Sequence, residues 1–256
     1  LIQDIFAESL KELNLKPTQK LAIAVSGGSD SMALALLANS WIKTPVIALT
    51  VDHNLRKESK NEAEQVSRWM QKHKIEHYIL NWDGEKPKSN IQAEARNARY
   101  ELMTEFCKQK KIKTLLVAHN KEDQVETLLI RLMRGSGIEG LSGISRDTNI
   151  NDIRILRPLL DVSKQELRSY LRKQRQGWIE DPSNNDDKYT RVQVRNFINS
   201  SSEPELLVDR LANTCKMLKQ SCDYIDKKIS QETKEVLQIN DEGYCVLDIR
   251  KFKLLH

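Results

Sequence analysis

Residues 21–37, LAIAVSGGSDSMALALL, constrain this chain more than any other stretch. The five apolar residues 21–25 are too few for a helical core and suit a buried strand. Ser26-Gly27-Gly28-Ser29 interrupts the run, and Asp30-Ser31 opens a second apolar stretch. There Met32 and Leu36, with Ala33 and Leu37 on the adjoining side, recur at helical spacing. The pattern predicts a strand, a tight glycine turn and a helix N-terminus. Such a corner offers unpaired backbone N–H groups and the positive end of the helix dipole, which together favour phosphate. Its glycines let the backbone approach an anion with no Cβ in the way.

No Gly-Lys-Ser/Thr follows the first glycine at the spacing of a Walker A loop. In place of a lysine the corner carries a carboxylate, Asp30. That carboxylate can be read as a cap on the helix or as a group bridged to a nucleotide pyrophosphate by Mg²⁺. SGGSDS after a buried strand resembles the signature of the PP-loop ATP pyrophosphatases, which cleave ATP to AMP and pyrophosphate.

The flanking sequence alternates strands with helices. Ile2, Ile5, Phe6, Leu10 and Leu13 predict an amphipathic helix ending before Pro17. Residues 46–51 read as a second buried strand running into Asp52-His53. Glu62, Val66, Trp69 and Met70 fit a following helix, and residues 78–80 a third strand. Further candidates at 115–118 and 153–156 bring the total to about five strands. The fold class is therefore α/β, a Rossmann-like doubly wound parallel sheet with helices on both faces. In such sheets ligands bind beyond the carboxyl ends of the strands, where Ser26-Gly27-Gly28 and Asp52-His53 both fall.

A second informative corner follows the strand at 115–118. His119-Asn120 closes it, Asn120 can cap a helix from Lys121, and Asp123, Glu126 and Thr127 share one side of that helix. One carboxylate there would be ordinary dipole compensation. Two at i and i+3 suit either a metal site or a cationic co-substrate that must lose a proton. Upstream, Arg96 and Arg99 flank the helical stripe Ile91, Ala95, Ala98 and Leu102. RGSGIEGLSG at 134–143, flanked by Arg131 and Arg146, reads as a flexible connection or as a substrate contact. Ser163 caps a basic helix carrying Lys164, Arg168, Arg172, Lys173 and Arg175, and a turn cluster at 181–185 leads to Arg191 and Arg195.

From about Asn199 the apolar positions mark helices rather than sheet, so the expected division is 1–198 and 199–256. The second part reads as small, mainly helical and cut short. The start at Leu1 reads as a processed or trimmed N-terminus. No apolar run reaches membrane-spanning length and no signal peptide is visible, which gives the expectation of a soluble, cytoplasmic protein. A net charge of +5 permits a polyanionic partner without demanding one. The four cysteines, Cys107, Cys215, Cys222 and Cys245, form no C-x-x-C pair and read as structural thiols.

Taken together, these pieces resemble the tRNA(Ile)-lysidine synthetases, a branch of the PP-loop enzymes. The matching stretches are SGGSDS (26–31), VDHNLR (51–56), QAEARNARY (92–100), HNKEDQVET (119–127), RGSGIEGLSGI (134–144), RPLL (157–160) and DPSNNDDKYTRVQVR (181–195). Two departures stand out: Asn54 where the family usually has glycine, and Val192 where it usually has asparagine.

The resemblance implies a PP-loop adenine-nucleotide fold and a ligase. ATP adenylylates the wobble cytidine of an isoleucine tRNA with a CAU anticodon. Free L-lysine then replaces AMP to give lysidine. It also implies ATP contacts by Ser26, Gly27, Gly28, Ser29, Asp30, Ser31, Asp52 and His53, with Mg²⁺ held by Asp30 and Asp123. Catalysis would fall to Asp30, Asp123, Glu126 and Arg99, and tRNA contact to Arg96, Arg191 and Arg195. A homodimer is compatible with it. The competing readings are another PP-loop tRNA-modifying enzyme, such as a thiolase, and a non-catalytic ATP-binding module.

Overall fold

The computed structural model of the chain describes residues 1–52, 59–82, 91–180, 190–240 and 242–252. Its elements in order begin with helix α1 (Ile2–Glu12), strand β1 (Ala22–Ala24), α2 (Ser29–Trp41), β2 (Ile47–Asp52), α3 (Ser59–Lys72) and β3 (Glu76–Asn81). They continue with α4 (Ile91–Gln109), β4 (Thr114–Leu116), α5 (Lys121–Met133), α6 (Ile138–Leu141), β5 (Asp147–Ile150), β6 (Ile153–Leu156) and α7 (Lys164–Lys173). The C-terminal part holds α8 (Thr190–Asn199), α9 (Pro204–Val236), the antiparallel pair β7 (Leu237–Ile239) and β8 (Cys245–Leu247), and α10 (Ile249–Phe252).

The main sheet has six strands in the order β3-β2-β1-β4-β6-β5, and only β5 runs antiparallel, along the edge of β6. Five parallel strands are the five the apolar runs predict. The sixth escapes that reading because Asp147-Thr148-Asn149-Ile150 is polar and half exposed, the profile of an edge strand rather than a buried one.

Chain order reverses beside β1. The chain moves outward to β2 and β3, then returns to place β4 on the other side of β1. The β1/β4 boundary is thus a topological switch point, where the loops after two neighbouring strands splay apart and leave a crevice. Both corners singled out in the sequence lie at it.

Strand period explains how β1 is held there. Leu21, Ile23 and Val25 enter one core cluster with Phe6, Leu10, Val66 and Leu167 from α1, α3 and α7. Ala22 faces the other side, with Tyr100, Met103 and Cys107 of α4. Helix α2 has little amphipathicity because residues 31–38 are all buried between the sheet and its neighbours. Each fully buried leucine of this kind stabilises the fold by about 1.5–3 kcal/mol relative to exposure. The cradle therefore sits on one of the least deformable parts of the molecule.

A third cluster joins Val125 of α5, Val194 and Ile198 of α8, and Val208 of α9. The N-terminal turns of α9 thus share a core with the helix of the second corner, across the boundary drawn at residue 198. Among the described residues, no helix is long and apolar enough to cross a membrane.

Candidate active site

A wide cleft of about 1910 Å³ opens over the carboxyl ends of β1, β2 and β4. Its floor is the glycine turn. Gly27 has φ of +89°, a region open to glycine at little cost. The Ser31 hydroxyl accepts from the Ser26 N–H at 3.1 Å and donates to the Gly28 carbonyl at 3.0 Å, closing the turn from inside. Ser31, expected to contact ATP, is buried, braces the loop and lines the cleft.

The cap reading of Asp30 fails. Helix α2 is N-capped by Gly28 with no side-chain capping hydrogen bond. Asp30 Oδ1 accepts from Ser29 Oγ at 2.9 Å, and Oδ2 accepts from Asn120 Nδ2 at 3.1 Å. That second bond ties the two corners together. Burial pushes the Asp30 carboxyl above its ordinary value, opposed chiefly by the positive charge of Lys164.

A short strap crosses the turn from above: the Ile179 N–H donates to the Gly27 carbonyl at 2.9 Å. A Cβ on Gly27 would fall 2.8 Å from Ile179 Cδ1 and 2.9 Å from Val66 Cγ2. Gly27→Ala should therefore cost both through φ and through contact. The expected result is a melting temperature lowered by several degrees, the effect of about 1 to 2 kcal/mol, with ATP affinity weakened about tenfold or more. Thermal melts and ATP titration of the variant check this.

At the second corner, Asn120 caps α5 as the sequence suggests. Its Oδ1 accepts from the Asp123 N–H at 2.9 Å, while Asp123 Oδ2 accepts from the Asn120 N–H at 3.1 Å. The other oxygen of Asp123, Oδ1, lies 3.9 Å from Nη1 of Arg191. Glu126 is 2% exposed. Its Oε1 accepts from Arg195 Nε at 2.9 Å and Nη2 at 2.8 Å, whereas Oε2 is buried without a hydrogen-bond partner. Burial raises the Glu126 carboxyl, and the Arg195 cation opposes that rise. His119 Nδ1 is also buried and unpartnered, and burial pushes the ring down to about 4, so it is neutral at pH 7.

Arg96 and Arg99 line the same cleft from α4, and the Arg96 guanidinium lies over the Tyr100 ring at 5.3 Å. Asp52 lines it at the end of β2. His53 and the turn cluster at 181–185 lie outside the described residues.

Arg195, expected to contact tRNA, holds Glu126 through its guanidinium. Arg191 is more exposed. Sequence reading missed the Glu126–Arg195 pair, which joins residues 69 positions apart on α5 and α8. It also missed the strap at 177–180 and the approach of Lys164 to Asp30. The only available signal for Lys164 was its place in the basic helix.

Among the described residues, no cluster of three or more His, Cys, Asp or Glu side chains could hold a metal ion. Mg²⁺ bound with substrate phosphates takes one or two carboxylates and keeps its waters. Asp30 fits, standing at the mouth of an anion cradle. Asp123 fits less well, because one oxygen is in the capping box and the other faces Arg191.

Residues 2–202 match the PP-loop domain family. The chain is 41% identical over 244 residues to the tRNA(Ile)-lysidine synthase of Orientia tsutsugamushi, covering 91% of this chain and 55% of that protein. It is 41% identical over 238 residues to the tRNA(Ile)-lysidine synthase of Wolbachia pipientis wMel, with the same coverage of 91% and 55%. The chain spans about half the length of these curated relatives. A solved structure of the U34-tRNA thiolase NcsA from Methanococcus maripaludis, with its 4Fe-4S cluster, superposes with a TM-score of 0.69. At 16% identity over 85% of this chain and 78% of that one, this likeness is one of fold.

Proposed function

Because the chain belongs to the PP-loop domain family, we propose that its cleft adenylylates the wobble cytidine of a CAU-anticodon isoleucine tRNA and then attaches lysine, forming lysidine. One observation carries the reading. An anion cradle and a buried, half-satisfied carboxylate occupy one cleft, joined by the Asp30–Asn120 hydrogen bond. A reaction that expels pyrophosphate and admits an ammonium needs both. The names of the curated relatives support the choice of substrate.

The chemistry follows from the charges. The cytosine C2 carbonyl is urea-like and a poor electrophile until AMP is transferred to its oxygen. The backbone N–H groups of the cradle would hold the phosphates during that transfer. Asp30 would hold Mg²⁺, which when bound supplies neutralising charge to the phosphates. Lysine must then shed a proton: with an ordinary pKa near 10.4, the free amine at pH 7 lies about 4 to 5 kcal/mol uphill. Glu126 Oε2, with no partner to give up, would bind the ammonium and accept its proton as the nitrogen attacks C2. Arg96 and Arg99 would face the AMP phosphate.

Sulfur transfer finds less support. Cys107, Cys215 and Cys222 are buried, and burial pushes the Cys107 thiol up to about 12, away from the thiolate a nucleophile needs. We read residues 1–198 as the catalytic part and 199–256 as a helical extension beside it.

The decisive experiment supplies ATP, Mg²⁺ and labelled lysine with CAU-anticodon isoleucine tRNA. Label should enter tRNA in step with AMP release. AMP release without lysine would redirect the reading to another nucleophile, and ATP binding without AMP would leave only a binding module. Within this reading Arg191, exposed at the cleft rim, contacts RNA phosphate. Arg191→Ala should weaken tRNA binding and reduce the slope of log affinity against log salt by about one unit, with ATP affinity unchanged. A salt-series titration checks both.

A further inference from the structure

The glycine turn contains no lysine, although pyrophosphate carries more charge than one helix N-terminus offsets. A cation is available from another element. Lys164 and Arg168, both on α7, line the same cleft as Ser26, Gly28 and Asp30. Helix α7 is fixed at that end from three directions. Its Ser163–Glu166 capping box closes the first turn. Glu122 of α5 accepts the Lys164 backbone N–H at 3.0 and 2.9 Å, one distance to each oxygen. The Lys121 N–H donates to the Val162 carbonyl at 3.0 Å. The helix carrying Lys164 is therefore docked on the helix that carries Asp123 and Glu126.

The two cleft-lining cations of α7 are differently engaged. Arg168 Nη2 donates to Glu180 Oε1 at 3.0 Å, and its guanidinium lies 5.9 Å from the centre of the Trp178 ring, so it holds down the strap. Lys164 enters no ion pair among the described residues, and its charge is the chief influence lowering Asp30.

We propose that Lys164 is the cation for the departing pyrophosphate, supplied by α7 where the glycine turn has none. The inference rests on the proposed use of ATP and adds a residue to it. In adenylyl transfer the cytosine O2 lone pair forms a bond to the α-phosphorus. The bond from that phosphorus to the bridging oxygen breaks, and its electron pair stays on pyrophosphate. The Lys164 ammonium faces the charge that accumulates there. Its hydrogen bond to an anion is of the charge-assisted kind.

The test compares Lys164→Met and Lys164→Arg with the parent chain, titrating inorganic pyrophosphate and AMP separately in the presence of Mg²⁺. Lys164→Met removes the charge and keeps the stem, and the helix-capping bond uses only its backbone, so the melting temperature should stay within a few degrees. Pyrophosphate affinity should fall at least about tenfold, the size of one charge-assisted contact. AMP affinity should hold within twofold, and Lys164→Arg should recover most of the loss. Unchanged pyrophosphate affinity would overturn the proposal. So would an equal loss for AMP, which would make Lys164 a general counter-ion of Asp30. Lysine transfer is not measured, so a chain that binds pyrophosphate through Lys164 but uses another nucleophile supports this inference and removes only the lysidine reading.

Discussion

Replacing Asp30 by asparagine should abolish AMP and pyrophosphate formation while leaving the empty protein at least as stable as the parent. The first half follows from position. Asp30 stands at the mouth of the cradle, and α2 is capped by Gly28 without its help. Asparagine would keep the shape and could still accept from Ser29 or Asn120, but it could not hold a divalent cation against phosphate. The second half follows from the direction of its shift. Asp30 is raised from its ordinary 3.8 by burial. A carboxyl raised in the folded state binds protons more tightly there than in the unfolded chain. Its ionisation therefore costs stability that is lost as pH climbs through the folded value. The variant should match or exceed the parent in melting temperature at pH 7. That advantage should vanish below about pH 3.8, where the carboxyl is protonated in both states. AMP production near the parental rate would make Asp30 a spectator. A large fall in melting temperature at pH 7 would mean its hydrogen bonds to Ser29 and Asn120 dominate.

This tension between stability and function marks what a sequence can reveal. The strand-turn-helix corner was legible because every cue in it is local: an apolar run, glycines and a helical period within 17 consecutive residues. Asn120 as a cap was legible for the same reason. Nothing local says that the Ser31 hydroxyl turns to the Ser26 N–H and the Gly28 carbonyl. Strand β5 was missed because an exposed edge needs little apolar residue, so Asp147-Thr148-Asn149-Ile150 carries no burial signal. The Glu126–Arg195 pair and the approach of Lys164 depend on how α8 and α7 dock, which is set by tertiary packing. Arg195 reads as a phosphate contact on its own, and the buried carboxylate it meets on α5 is visible only in the fold.

That carboxylate gives the second large effect. Glu126→Gln should leave adenylylation of the tRNA intact and reduce lysine attachment about 100-fold or more, the usual weight of a positioned proton acceptor. The substitution is nearly isosteric, and the amide oxygen can still accept from both Arg195 donors that now meet Oε1. With the oxygen so occupied, the amide NH₂ falls where the unpartnered Oε2 was. A donor then faces the incoming ammonium where an anionic acceptor stood. In the proposed reaction the expected signature is a raised lysine requirement together with build-up of adenylylated tRNA, because Glu126 is assigned to the second half alone. Removing the other partner should act differently. Arg195→Met should strip Glu126 of its cation and push its carboxyl further up, so that the same lysine defect appears but eases as pH rises. Parental lysine dependence in Glu126→Gln would return Glu126 to the role of a structural anchor for Arg195.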